Sequence, residues 1–83
     1  MAELNRAVAV GLADGPAAGL AMLEPLLADP ALEHYQPLYA AHAELLSRGG
    51  DAEGAARAYE RAIALSANDV ERAELERRLG ALR

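Results

Sequence analysis

The feature that most constrains this chain is an echo of residue sizes at a separation of 36 positions. Three pairs of residues share this interval, with small aligned to small and large to large: Ala7 and Ala43, Gly19 and Ala55, and Leu23 and Tyr59. An echo of this length indicates that one supersecondary unit occurs twice, because a repeated unit buries its apolar face against its neighbour. We therefore expect two stacked units.

The second unit has the spacing of two helices that interlock. Three residues lie four and three apart before a break at Gly49 and Gly50, and three more show the same spacing after it: Tyr39, Ala43 and Leu46, then Ala55, Tyr59 and Ala62. Small residues let antiparallel helices approach closely, and larger ones fill the space beside them. The pattern predicts a helical hairpin.

Proline, glycine and capping residues divide the chain into five predicted helices. They cover residues 2–12, a segment that begins at Pro16, then 36–48, 52–66 and 69–82. Pro25 should kink or split the second helix, and Pro30 should open a short turn. Asp51 and Asn68 are good N-caps for the last two helices. One domain, 1–83, is expected, with repeat one at about 2–28 and repeat two at about 35–66.

The fifth helix, at about 69–82, is predicted to close the array. Five of its residues are expected to be buried: Val70, Ala73, Leu75, Leu79 and Leu82. Continuing the register places Arg77 where a further repeat needs a small residue. We therefore predict a capping helix whose other face meets water and carries these charged residues: Glu71, Glu74, Arg77 and Arg78.

Composition supports an all-α fold and limits the partners. Of the 83 residues 53% are hydrophobic but only 4% aromatic, and alanine, the best helix former, is abundant. The net charge of −5 makes DNA, RNA or an anionic membrane unsuitable partners. Without cysteine there are no disulfides or thiolate metal sites. No apolar run reaches about 18 residues and no signal peptide is evident, so we expect the cytoplasm.

No residue pattern predicts catalysis or a cofactor. The two serines, Ser47 and Ser66, lie at predicted helix ends, where serine bonds local backbone. His34 and His42 are eight positions apart, too far for a helical pair of metal ligands, and His42 is expected to be packed or half-buried. We predict no catalytic, cofactor-binding or metal-binding residue. A metal ion bound near either histidine would instead favour a third class of function, a small hydrolase or a metalloprotein.

Binding of a partner is the remaining class of function, and the first helix of each pair offers a face for it. The predicted partner-binding residues, which we call the first-helix face, are Leu4, Asn5, Val8, Leu12, Glu44, Arg48, Glu74 and Arg78. The other interpretation is that Leu4, Val8 and Leu12 are core residues. Because no polar cap precedes Leu4 and Val8, we also expect homodimerisation at that end.

The layout of the second unit resembles a tetratricopeptide repeat (TPR). Tyr39 stands for its first aromatic residue, and the other matching positions are Ala43, Leu46, Ala55, Tyr59, Ala62 and Ala67. His42 replaces a leucine of that pattern, and Ala67 replaces its closing proline. The implied fold is an all-α, TPR-like, right-handed array of two helix pairs and a C-terminal capping helix.

A second resemblance covers nearly the whole chain. It is carried by these runs: LNRAVAV (4–10), ADGPAAGLAMLEPL (13–26), AELLSR (43–48), AYERAIAL (58–65) and ERAELERRL (71–79). Together they resemble the C-terminal TPR-like extension of bacterial extracytoplasmic function (ECF) sigma factors. The resemblance implies a regulatory domain that contacts sigma domains, RNA polymerase or a regulator.

Two origins and two functions stay open at this point. The promoter-recognition regions of a sigma factor are absent from these residues, so we expect either an excised domain or a short gene product. The alternative function is a free-standing TPR-like adaptor that binds a peptide or a partner helix.

Overall fold

The computed structural model describes residues 1–82 and consists of helices and their connections. The α-helices are α1 Ala2–Asp14, α2 Pro16–Leu27, α3 Gln36–Arg48, α4 Ala52–Ala64 and α5 Asp69–Ala81, and a 3₁₀-helix spans Pro30–Leu32. No strand occurs within 1–82. The prediction of an all-α chain with five helices is confirmed, as is the short turn at Pro30.

Local chemistry explains where these helices begin and end. Pro16 opens α2 directly after Gly15, whose φ of 106° is natural only for glycine. The Asp51 carboxylate accepts a hydrogen bond of 2.9 Å from the Gly54 backbone N–H at the start of α4. The Asn68 side chain accepts one of 2.8 Å from the Glu71 N–H at the start of α5. Both predicted N-caps are therefore confirmed.

Several predicted boundaries differ from the structure, with α1 ending at Asp14 instead of residue 12 and α5 at Ala81 instead of residue 82. Of the two predicted effects of Pro25, a kink or a split, the split is wrong because α2 continues through Pro25 to Leu27. Pro25 lies in the last turn, where its missing N–H removes one backbone hydrogen bond near the end of the helix. Helix α4 ends at Ala64 instead of residue 66, and the Ser66 hydroxyl donates to the Ala62 carbonyl oxygen at 3.0 Å. That bond closes the helix end in the way expected of a terminal serine.

The helices pack in chain order as two hairpins followed by a single helix. Helix α1 packs against α2 and α3 against α4, while α2 contacts α3 and α4 contacts α5. All six residues of the 36-position echo are buried: Ala7, Gly19, Leu23, Ala43, Ala55 and Tyr59. The echo therefore falls on interior positions of both hairpins.

The interior consists of two hydrophobic clusters that share α3. The first cluster joins α1, α2 and α3 through Leu4, Ala7, Leu23, Leu38 and Leu45. The second joins α3, α4 and α5 through Ala43, Ala55, Ala58, Tyr59, Ala62 and Leu75. Leu38 and Leu45, two turns apart on α3, enter the first cluster, whereas Ala43 enters the second. Helix α3 thus connects the two halves of the core.

Helix α5 buries fewer residues than the sequence predicts. Leu75 is buried and Leu79 and Leu82 are partly buried, but Val70 is 83% exposed and Ala73 is also exposed. The prediction that Val70 and Ala73 are buried is wrong because α5 packs mainly against α4 and these two residues lie on its opposite side. Among the described residues, no helix is long and apolar enough to cross a membrane.

Candidate functional site

Four predicted partner-binding residues form one ion network across α3 and α5. Arg78 on α5 reaches Glu44 on α3 at 3.3 Å through Nη1 and Glu74 at 2.9 Å through Nε. The Glu44 carboxylate also lies 3.5 Å from Arg48 Nε. These side chains are partly exposed, so their free-energy contribution is small and they remain accessible to a partner.

Glu74 is the electrostatic centre of this network. The Arg77 guanidinium contacts it at 2.6 Å and 3.0 Å, and together with Arg78 it lowers the pKa of the Glu74 carboxyl to about 2. The hydrogen bond to Glu74 is also the largest reason that the pKa of Arg78 is raised. Glu74 is therefore charged at any physiological pH.

Tyr59 lies beneath the network and connects it to the core. Only 3% of Tyr59 is exposed. Burial, with the nearby Glu44 charge as a smaller cause, raises the pKa of the Tyr59 hydroxyl, while Arg78 and Arg48 act in the opposite direction. Its phenol stays neutral, as suits a large core residue.

The apolar end of the first-helix face is partly buried. Leu4 is 5% exposed and belongs to the first hydrophobic cluster, so little of its side chain is accessible to a partner. Val8 is half-buried, whereas Asn5 is exposed and Leu12 is 56% exposed. The core interpretation therefore holds for Leu4, which α2 and α3 cover, and the accessible part of this end is Asn5 and Leu12.

A second candidate surface, which sequence reasoning missed, is an open groove between α3 and α4. Its volume is about 450 Å³. We call it the α3–α4 groove and define it by its lining residues, Tyr39, His42, Leu46, Asp51, Gly54, Arg57, Ala58 and Arg61. The sequence feature that could have indicated this groove is His42, a polar residue at a position where the TPR pattern has a leucine.

Arg61 is held at the edge of this groove by two neutral partners. Its Nη2 donates to the Glu33 carbonyl oxygen at 3.0 Å, and its guanidinium carbon lies 5.3 Å from the centroid of the Tyr39 ring. The Tyr39 hydroxyl donates to the same carbonyl oxygen at 2.9 Å. These contacts fix the position of the guanidinium without cancelling its charge.

His42 is half-buried, as the sequence predicts. Burial lowers the pKa of its imidazole, and the nearby Asp51 charge opposes that shift. His34 is exposed beyond the 3₁₀-helix. Within residues 1–82, no group of three His, Cys, Asp or Glu side chains is arranged to hold a metal ion.

The described residues form a helical fold with two accessible surfaces. Sequence comparison finds similarity to a longer protein. The chain is 43% identical over 76 residues to an uncharacterised protein of Rhizobium meliloti (strain 1021). The match covers 92% of this chain but spans only 18% of the relative's length. No protein-family model and no solved structure matches the chain.

Proposed function

We propose that this chain is a non-catalytic protein-interaction and regulatory domain of an ECF RNA polymerase sigma factor. Its fold in this proposal is a TPR-like right-handed array, with α1–α2 and α3–α4 as helix pairs and α5 as the capping helix. It acts in the cytoplasm during transcription initiation by contacting sigma domains, RNA polymerase or a regulator.

The observation that carries the proposal is the burial of the whole 36-position echo in two neighbouring hairpins. Stacked helical hairpins present their first helices on one extended surface, which is suited to protein recognition. Glu44 and Arg78 join α3 and α5 on that surface at 3.3 Å. The resemblance in sequence directs the choice of partner to the transcription machinery.

Two further findings support a role as one domain of a longer protein. The match spans only 18% of the relative's length, so most of that protein lies outside the matched region. The net charge of −5 also fits a domain that contacts proteins and leaves promoter binding to other domains.

The test begins with the complete reading frame, which should encode sigma promoter-recognition regions. The purified 83-residue chain is then titrated with those regions by isothermal titration calorimetry. We expect binding that Glu44→Arg weakens, because the reversal breaks the contact with Arg78. Glu76→Arg, an exposed change on α5, should leave binding unchanged.

A frame without sigma regions, or no binding by a folded chain to those regions or to polymerase, would overturn the proposal. Promoter DNA is the companion titrant. We expect no measurable affinity at physiological salt, so specific nanomolar binding to DNA by this chain would also contradict it.

The second candidate function is a free-standing TPR-like adaptor for a peptide or a partner helix. The α3–α4 groove favours it, since a cleft with apolar floor residues and charged rims can receive a peptide from an unrelated protein. A reading frame that encodes no sigma promoter-recognition regions upstream of this domain would select this function over the first.

A further inference from the structure

The α3–α4 groove combines an apolar floor with a positively charged edge. Tyr39 and Leu46 from α3 and Ala58 from α4 supply the apolar floor. Arg57 and Arg61, one helical turn apart on α4, supply the charged edge. A ligand that fits both must carry apolar groups and negative charge.

The two arginines differ in how firmly they are held, and both can accept an anionic partner. Arg61 is fixed by the Glu33 carbonyl oxygen and the Tyr39 ring, so little side-chain entropy remains to be lost on binding. Arg57 pairs with Glu53 at 3.5 Å, with both side chains largely exposed. Such a surface pair is weak, so Arg57 can exchange Glu53 for a carboxylate of a ligand.

The acidic residue of the groove does not oppose this arrangement strongly. Asp51 also lines the groove, and its Oδ1 accepts the Gly54 N–H at 2.9 Å as the N-cap of α4. That hydrogen bond holds the carboxylate at the helix start. The other charged groups that line the groove are the guanidinium groups of Arg57 and Arg61.

We propose that the α3–α4 groove binds an acidic peptide segment of a partner protein. An apolar side chain of the segment packs on Tyr39, Leu46 and Ala58, and neighbouring carboxylates pair with Arg57 and Arg61. Guanidinium groups suit this role because they bind carboxylates through two parallel hydrogen bonds. Because the chain as a whole carries a net charge of −5, an acidic segment is attracted to this local positive edge and not to the rest of the surface.

This surface is separate from the first-helix face and does not depend on the sigma-factor proposal. The first-helix face is represented by Glu44, Arg48 and Arg78, none of which lines the groove. Substitutions on each surface therefore test each proposal alone.

The test selects a phage-displayed library of random peptides of about twelve residues on the immobilised chain. We expect enriched sequences that combine Asp or Glu with apolar residues. The strongest synthetic peptide is then titrated by fluorescence anisotropy, and Arg61→Ala and Arg57→Glu should each weaken it by about tenfold, the loss expected for one charge-assisted contact. Circular dichroism checks that both variants remain folded.

The matched control is Arg72→Ala, which removes an exposed arginine of α5 that pairs with Asp69 at 3.1 Å. It should leave the affinity unchanged, whereas raising the salt from about 50 mM to about 500 mM should reduce it. Enrichment of basic or uncharged peptides, absence of any enrichment, or equal binding by wild type and both groove variants would each overturn the proposal.

Two other occupants would give distinct results. Self-association seen by light scattering, abolished by Arg61→Ala, would assign the groove to a second copy of the chain. Binding of single-stranded DNA that competes with the peptide and disappears in Arg57→Glu would assign it to phosphate. Either result would replace the peptide proposal.

Discussion

Gly19 in α2 lies so close to Ala7 in α1 that a β-carbon built on Gly19 would stand 2.7 Å from the Ala7 carbonyl oxygen. The same β-carbon would lie 2.7 Å from the Cα of Gly11. Both neighbours are backbone atoms, which cannot rotate away as a side chain can. The two helices of the first hairpin therefore pack backbone against backbone, and this contact depends on the absence of a side chain.

Gly19→Ala should destabilise the protein even though alanine is the better helix former. The added methyl must push α1 and α2 apart, and overpacking of this kind costs about 1–3 kcal/mol. Urea unfolding followed by circular dichroism measures the change in the free energy of unfolding.

Gly80→Ala is the matched control for Gly19→Ala. Gly80 also lies in a helix, but a β-carbon there would have no neighbour within 4 Å. We expect this substitution to stabilise the protein by up to about 1 kcal/mol through helix propensity alone. A stabilising Gly19→Ala would show that α1 and α2 are not in this close contact.

The sequence predicts most of the fold because its information is local. Helix ends follow from residues that act within one turn, such as Asp51, Asn68 and Pro16. The pairing of hairpins follows from the echo, since Ala7 and Ala43 are both buried. Small residues at regular intervals indicate helix contacts whatever their distant surroundings.

What the sequence does not predict depends on which helix covers which side. Val70 has the residue type of a core position, yet α5 turns it away from α4. Leu4 belongs to the predicted first-helix face, yet α2 and α3 cover it. The α3–α4 groove is a three-dimensional feature of two helices and a loop carbonyl at Glu33, which no spacing along the chain reveals.

The two capping side chains should each contribute measurably to stability. Asp51→Ala and Asn68→Ala remove the hydrogen bonds to Gly54 and Glu71, and each should cost about 1 kcal/mol in the free energy of unfolding. Asp51→Asn and Asn68→Asp keep an acceptor oxygen and should recover most of the loss. If the alanine and the conservative variants unfold at the same urea concentration, the caps are not contributing.

Substitution of Leu4 should reduce the free energy of unfolding far more than substitution of Leu12. Leu4→Ala opens a cavity in the first cluster and should cost about 2–5 kcal/mol. Leu12→Asp changes a side chain that is 56% exposed and should alter stability by less than about 0.5 kcal/mol.

This contrast determines how the predicted homodimer is tested. Leu4→Asp would place a charge in the core and unfold the chain, so loss of a dimer in that variant says nothing about the interface. Leu12→Asp is the informative change, because it alters the accessible part of α1. Light scattering at high concentration should show a dimer for wild type and a monomer for Leu12→Asp, and a wild-type monomer would end the homodimer prediction.

The ion network should be visible in the titration of Glu74. Because Arg77 and Arg78 lower the pKa of this carboxyl to about 2, its NMR resonance should remain that of a carboxylate down to pH values where exposed glutamates are protonated. Arg77→Gln removes the largest cause and should raise the pKa of Glu74 toward its ordinary value. Arg72→Gln, a change elsewhere on α5, should leave the titration where it is.

His42 should make stability depend on pH in a mildly acidic range. Burial lowers the pKa of the folded-state imidazole below its unfolded value of about 6.5, so between these two values the unfolded chain binds more protons than the folded one. The free energy of unfolding should therefore decrease as the pH falls below about 6.5 and level off once the folded-state imidazole is also protonated. Urea unfolding at closely spaced pH values measures this decrease.

His42→Gln should remove this part of the pH dependence, and His34→Gln, a histidine substitution outside the groove, is the matched control. His42 lines the groove together with Tyr39, Leu46 and Ala58, and its burial there outweighs the opposing effect of the nearby Asp51 charge on the pKa of the imidazole. Equal pH profiles for wild type and His42→Gln would mean that the imidazole is as well solvated in the folded chain as in the unfolded one. The imidazole would then lie outside the groove, and the apolar floor proposed for a peptide ligand would be wider than the structure indicates.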